Sequence, residues 1–227
     1  MSSNPAPKPI RAFLFDIGNV LLKFDFALAL KALAAQSEVH DPIDVLARVD
    51  QVKIAYEDGQ LDRAAFIRGV IDVLRFRGEE AEFVAAWEDI FEPNAPMVAL
   101  VEQLHGRYPL YLLSNTSDIH IDYVFRAHPF FARFTAGTYS YAARASKPGR
   151  AIYEIACRDH GLQPATTFFI DDLLPNIETA RALGFQTHHY HAERHGELLA
   201  ALEAAGVAAT PPSAEVSAAP SPREPSF

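Results

Sequence analysis

The chain has 227 residues, 49 % apolar and 11 % aromatic, and 20 Lys and Arg against 29 Asp and Glu give a formal net charge of −9. That is enough apolar material for one sizeable core, and the acidic balance argues against a nucleic-acid partner, whose phosphates call for Lys and Arg. The single cysteine, Cys157, excludes an intramolecular disulfide and a cysteine-rich zinc site, and no stretch approaches the roughly 18 apolar residues of a membrane span. The first apolar run is cut by Asp16, so no export signal is legible and the cytoplasm is the expected location.

Residues 1–9 carry Pro5, Pro7 and Pro9, and residues 206–227 are rich in Pro, Ala and Ser; both ends are expected to be disordered. Ile10 to Phe15 is a short apolar run with little polar alternation, as in a strand buried on both faces of a parallel sheet, and Gly18-Asn19 marks the loop after it. The stretch from Phe26 to about Leu104 reads as almost purely helical. Asp41-Pro42 opens a helix over 43–56, Asp62 one over 63–76, and another is expected over 79–91 before Pro93 and Pro96 close the block. Strands then return at 109–113, 134–139, 166–170 and 184–190. Helices are expected between and after them at 118–127, 150–160, 176–183 and 193–205. The alternation predicts an α/β core with a Rossmann-like parallel sheet over 10–23 and 96–205, and an inserted all-helical subdomain over 24–95.

Polar residues follow three of these strands: Asp16, Ser114 with Asn115, and Asp171 with Asp172. Ligands of open α/β sheets bind at that edge. Lys147 precedes Pro148 in the loop before a helix. Three clustered carboxylates repel one another without a cation, and compact oxygen ligands suit Mg²⁺ together with a substrate phosphate. A carboxylate can also act as a nucleophile, while a hydroxyl and an ammonium suit the remaining phosphate oxygens. The set therefore fits Mg²⁺-assisted phosphoryl transfer to an aspartate.

Four motifs stand in order: FDIGNVL, LLSNTS, Lys147 within SKPGRAIYE, and FFIDDLLPNIETARALGF. Together they resemble the haloacid dehalogenase-like (HAD) hydrolase superfamily. The likeness is to the branch with a small helical cap that includes the phosphatase domain of soluble epoxide hydrolase and bacterial sugar-phosphate phosphatases. The resemblance implies that Asp16 is the nucleophile and a Mg²⁺ ligand, with the Gly18 carbonyl and Asp172 as further ligands. It implies that Ser114, Asn115 and Lys147 bind the phosphoryl group, that Asp171 supports Lys147 or the metal's waters, and that Asn176 supports the site. A small phosphorylated metabolite is the implied partner, and the chain is expected as a monomer or homodimer.

One departure stands out. Where phosphatases of the family carry a second aspartate as general acid, this chain has Gly18, followed by Asn19 and Val20. Either the leaving group needs little help, as in a sugar 1-phosphate, or Asp25 or a residue within 57–60 supplies the proton. A haloacid dehalogenase and a catalytically weak binding protein are the alternatives. His188, His189, His191 and His195 read as a surface strand and loop rather than a zinc site. Cys157, Trp87 and Phe91 read as packing residues, and Tyr139 and Tyr141 as a possible border of the substrate site.

Overall fold

The computed structural model describes residues 8–208. Most of the two segments expected to be disordered, residues 1–7 and 209–227, therefore lies outside the described residues. The packed chain nevertheless runs past Gly206, where the tail was expected to begin. Val207 is buried in the core, and Arg107 Nη1 donates to the Ala208 carbonyl at 2.9 Å.

Five parallel strands form the main sheet: β1 (Ala12–Phe15), β4 (Leu110–Ser114), β5 (Ala136–Tyr139), β6 (Thr167–Asp171) and β7 (Gln186–His189). Their order is β5-β4-β1-β6-β7, so β1 is central and its four residues are all buried. In register, Phe15 lies between Leu112 of β4 and Ile170 of β6. The polar residues that follow these three strands are thereby brought to one edge. Helices α5 (Ala95–Leu104), α6 (Asp118–Ala127) and α10 (His195–Ala204) contribute to the core on one face. Helices α8 (Arg150–His160) and α9 (Leu174–Ala182) contribute on the other. A short turn of helix, α7 (Ser140–Ala143), follows β5.

Four helices lie between β1 and α5: α1 (Phe26–Ala35), α2 (Pro42–Glu57), α3 (Arg63–Leu74) and α4 (Glu80–Glu88). Asp25, Asp41 and Asp62 cap the first three, each accepting from backbone N–H groups of the first turn. The block has its own apolar cluster, in which Tyr56 stacks on Phe66 and Phe66 meets Phe83 and Trp87. Trp87 is thus a packing residue, as expected.

Sequence reading missed one feature. β2 (Leu22–Phe24) and β3 (Phe91–Pro93) form an antiparallel ribbon, with Phe24 paired to Phe91. The expected changeovers at 23/24 and 95/96 accordingly fall inside β2 and α5, and the last helix of the block stops at Glu88 rather than 91. Three-residue strands carrying Lys23, Glu92 and Pro93 have no apolar alternation to signal them.

Ion pairs join the block to α6: Arg63 Nε to Asp118 at 2.9 Å and Arg126 Nη2 to Glu88 at 2.6 Å. The turn after α2 also fits closely against α7. Gly59 has φ +70, and a Cβ there would lie 2.1 Å from the Tyr141 carbonyl oxygen. Gly59→Ala meets both the left-handed penalty and a clash with backbone, so a loss of more than about 1 kcal/mol is expected in urea denaturation.

Candidate active site

Asp16 follows β1 directly, held by its N–H donating to Ile170 O at 2.9 Å. Its Oδ1 accepts from the Ile17 N–H at 2.7 Å and from Lys147 Nζ at 2.8 Å. Lys147 reaches in from the loop before α8 and also donates to Asp171 Oδ2 at 2.7 Å. Asp171 is fully buried. Its other oxygen accepts from the Leu173 N–H at 2.8 Å and Asn176 Nδ2 at 2.9 Å. Asn115 fixes the lysine's backbone in a reciprocal pair: Asn115 Nδ2 donates to Lys147 O, and Lys147 N–H donates to Asn115 Oδ1, both at 2.8 Å.

Asp172 stands at the mouth of this arrangement, half-buried, and its Oδ2 accepts from Asn19 Nδ2 at 3.1 Å. Asn19 sits at φ +53, a conformation that asparagine tolerates better than most side chains. Carboxylate oxygens of Asp16, Asp171 and Asp172 lie within 4.8 Å of one another. This is the chemistry of a divalent-cation site: three hard oxygen donors with one ammonium to balance them. The Lys147-bound Asp171 is the most committed of the three, and Asp172 the freest. Burial raises Asp16 to about 6 against the pull of Lys147, with Asp171 and Asp172 adding to the rise. Burial also raises Asp172.

The cavity over this edge measures about 360 Å³, at the small end for ligand pockets. Asp16, Gly18, Asn115, Lys147, Asp172 and Asn176 all line it. Ser114 is buried one residue earlier, and Thr116 lines the cavity instead. Thr116 was not singled out from the sequence, although it belongs to the same motif. In the sequence Asn19 stands out only as a departure from the family's first motif, and Lys53 and His120 carry no motif signal. Asp25 does not line the cavity, because its carboxylate caps α1. Glu57 does line it, whereas Tyr139 and Tyr141 do not. Among the described residues the histidines of 188–195 form no metal cluster; His189 Nε2 instead bonds the Asp172 carbonyl at 2.8 Å. No helix among the described residues is long and apolar enough to cross a membrane.

A central strand followed directly by a buried aspartate, a lysine shared between two carboxylates and a helical block inserted after the first strand define a class. The family model described as haloacid dehalogenase-like hydrolase matches residues 10–184, and the chain belongs to that family. Among curated relatives it is similar to a D-ribitol-5-phosphate phosphatase of Bacteroides thetaiotaomicron. The two are 26 % identical over 189 residues, covering 78 % of this chain and 90 % of the relative. The crystal structure of the HAD family enzyme bt-2542 from the same organism superimposes with a TM-score of 0.77 at 26 % identity, covering 85 % of this chain and 98 % of that one. The same enzyme in complex with magnesium and inorganic phosphate gives 0.73 at 27 % identity, covering 81 % and 95 %. An L-2-haloacid dehalogenase of Xanthobacter autotrophicus shares the fold, with a TM-score of 0.57 at 17 % identity and coverage of 78 % and 76 %.

Proposed function

We propose that the chain hydrolyses small phosphomonoesters with Mg²⁺, passing the phosphoryl group through Asp16. The observation that carries this reading is Lys147, held 2.8 Å from Asp16 and 2.7 Å from Asp171 in a site where three carboxylates converge. The magnesium and phosphate complex of a relative supports it. Asp16, Asp172 and the Gly18 carbonyl are the groups that would hold the metal. Bound Mg²⁺ would offset the clustered charge, keep Asp16 ionised and share the charge of the phosphoryl oxygens.

Both hydrogen bonds to Asp16 fall on Oδ1, which leaves Oδ2 as the attacking oxygen. Its attack forms an Oδ2–P bond as the ester P–O bond breaks, with the electron pair leaving on the alcohol oxygen. Water then attacks phosphorus, the Asp16 carboxylate is regenerated and inorganic phosphate departs. Lys147 holds its proton throughout, because the neighbouring carboxylates raise its pKa more than burial lowers it. It is a fixed positive charge beside the phosphoryl group. Asn115 and Thr116, which line the cavity, supply further polar contacts, and Asn176 steadies Asp171. The block α1–α4 acts as a cap over the site, and the cytoplasm is the proposed location.

With Gly18 in the acid's place, the first motif has no side chain to protonate the leaving oxygen. Turnover is therefore expected to depend steeply on the leaving group. A p-nitrophenyl ester should react at least about 100-fold faster in kcat than a primary alkyl ester, the lower end of what a positioned acid supplies. Equal rates would place a general acid elsewhere. EDTA is expected to abolish turnover of p-nitrophenyl phosphate and excess Mg²⁺ to restore it. Full activity in EDTA would sink the metal-assisted reading.

A further inference from the structure

Helices α1–α4 contribute Phe26, Lys53 and Glu57 to the cavity. Lys53 Nζ donates to Glu57 Oε2 at 2.9 Å and lies 5.8 Å from the centroid of the Phe26 ring. An i, i+4 pair of this kind normally sits in water on a helix face and contributes little. Here the two side chains are only 23 % and 21 % exposed, and they face a chamber whose remaining walls include Phe24, Ile90 and Phe91. Keeping a charged pair there costs desolvation that an apolar pair would avoid. That cost registers on Glu57, whose pKa burial raises against the pull of Lys53.

The pair belongs to α2 rather than to the sheet edge. The charges acting on Asp16 are Lys147, Asp171 and Asp172; those acting on Glu57 are Lys53, Asp58 and Asp50. It is nevertheless tied to that edge through the backbone. Ser140 Oγ donates to Glu57 O at 2.6 Å and accepts from the Thr116 N–H at 2.9 Å. His120, the other titratable lining residue nearby, adds no charge: its Nε2 bonds Trp87 O at 3.1 Å, and burial lowers it to about 4.

A mutually neutralised Lys–Glu pair offers ammonium N–H donors and carboxylate acceptors side by side. Hydroxyl groups, which both donate and accept, match it; a second anionic group would face the Glu57 carboxylate. Apolar walls suit the C–H surface of a carbon chain. We propose that Lys53 and Glu57 together bind the hydroxyl groups of a neutral, polyhydroxylated carbon chain whose phosphate end lies at Asp16. This rests on the phosphatase reading above and narrows its substrate class to sugar and sugar-alcohol phosphates.

The test compares kcat/KM for D-ribitol 5-phosphate and n-pentyl phosphate, using the full chain with Mg²⁺. The two share chain length and a primary leaving oxygen, but only the first has hydroxyls. The unsubstituted enzyme is expected to prefer the ribitol ester at least about tenfold, mainly through KM. Lys53→Met and Glu57→Gln are each expected to shrink that preference by about tenfold or more, and Lys53→Arg to keep more of it than Lys53→Met. Glu57→Gln preserves size and helix, and it carries the comparison where Lys53→Met fails to fold. A preference within about twofold of the unsubstituted enzyme's in the variants, or no preference in the unsubstituted enzyme, overturns the assignment. An enzyme that hydrolyses p-nitrophenyl phosphate but does not distinguish the two alkyl esters overturns the Lys53–Glu57 role alone. One that hydrolyses none of the three overturns the phosphatase reading as well.

Discussion

Lys147→Met is expected to remove turnover and to lower stability by about 3–5 kcal/mol in metal-free denaturation, the range for stripping one partner from a buried ion pair. The cause lies in Asp171. This side chain has no exposure, and Lys147 is its counter-charge at 2.7 Å. Without the lysine, three carboxylates whose oxygens lie within 4.8 Å of one another share a site with no cation. The Asn176 amide and Leu173 N–H still solvate one oxygen of Asp171, which keeps the penalty below that of a bare buried charge. Millimolar MgCl₂ is expected to recover part of the lost stability, because a ligand that binds only the folded state stabilises it. A variant as stable as the parent without metal would show that Lys147 is not the counter-ion the geometry makes it.

Asp16→Asn is expected to reduce kcat on p-nitrophenyl phosphate by at least about four orders of magnitude, since removing a nucleophile leaves only binding and charge stabilisation. The fold should persist, because asparagine has the same shape and its Oδ1 can still accept from Lys147 and the Ile17 N–H. The stability of the variant relative to the parent carries a second expectation, measured with EDTA present. Asp16 is raised from its ordinary 3.8 to about 6 in the folded chain, so the fold disfavours its ionised form. A folded state that binds the proton more tightly loses stability as pH climbs from the unfolded pKa through the folded one. Asparagine cannot ionise, so the variant should gain on the parent between about pH 4 and pH 6 and hold that advantage above it. A difference that stays flat with pH would contradict the raised value. Residual turnover within a factor of about 100 would remove Asp16 from the nucleophile's role.

Much of this was legible in the sequence, for identifiable reasons. Helices over 118–127 and 150–160 match α6 and α8 in the structure, because Ser117 caps the first and Gly161 ends the second. A short apolar run with little polar alternation marks β1, and the strand expected over 166–170 matches β6; both are buried along their whole length. Those strands put Asp16, Asp171 and Asp172 at one edge as soon as the sheet is parallel. The ribbon of β2 and β3 was not legible, since its pairing joins residues far apart in sequence and neither strand has room to alternate. The placement of Thr116 rather than Ser114 in the cavity wall depends on how the chain turns after β4, which strand periodicity does not encode. Lys53 carries no motif signal, and a Lys and a Glu four residues apart are ordinary on a helix; only the cavity they share with the sheet edge sets them apart.

The β2–β3 ribbon has a bearing on how such a chain diversifies. The polypeptide leaves this ribbon at Phe24 and comes back to it at Phe91, on a directly paired neighbour. Whatever lies between is joined covalently to the rest at a single stem, so its length adds only slowly to the entropy of closing the excursion. Residues 25–90 could be shortened, lengthened or exchanged for another fold without shifting the pairing of β1 with β4 and β6. The proposed nucleophile and the proposed hydroxyl contacts thus lie on two stretches of chain that meet, along the backbone, at a ribbon of six residues.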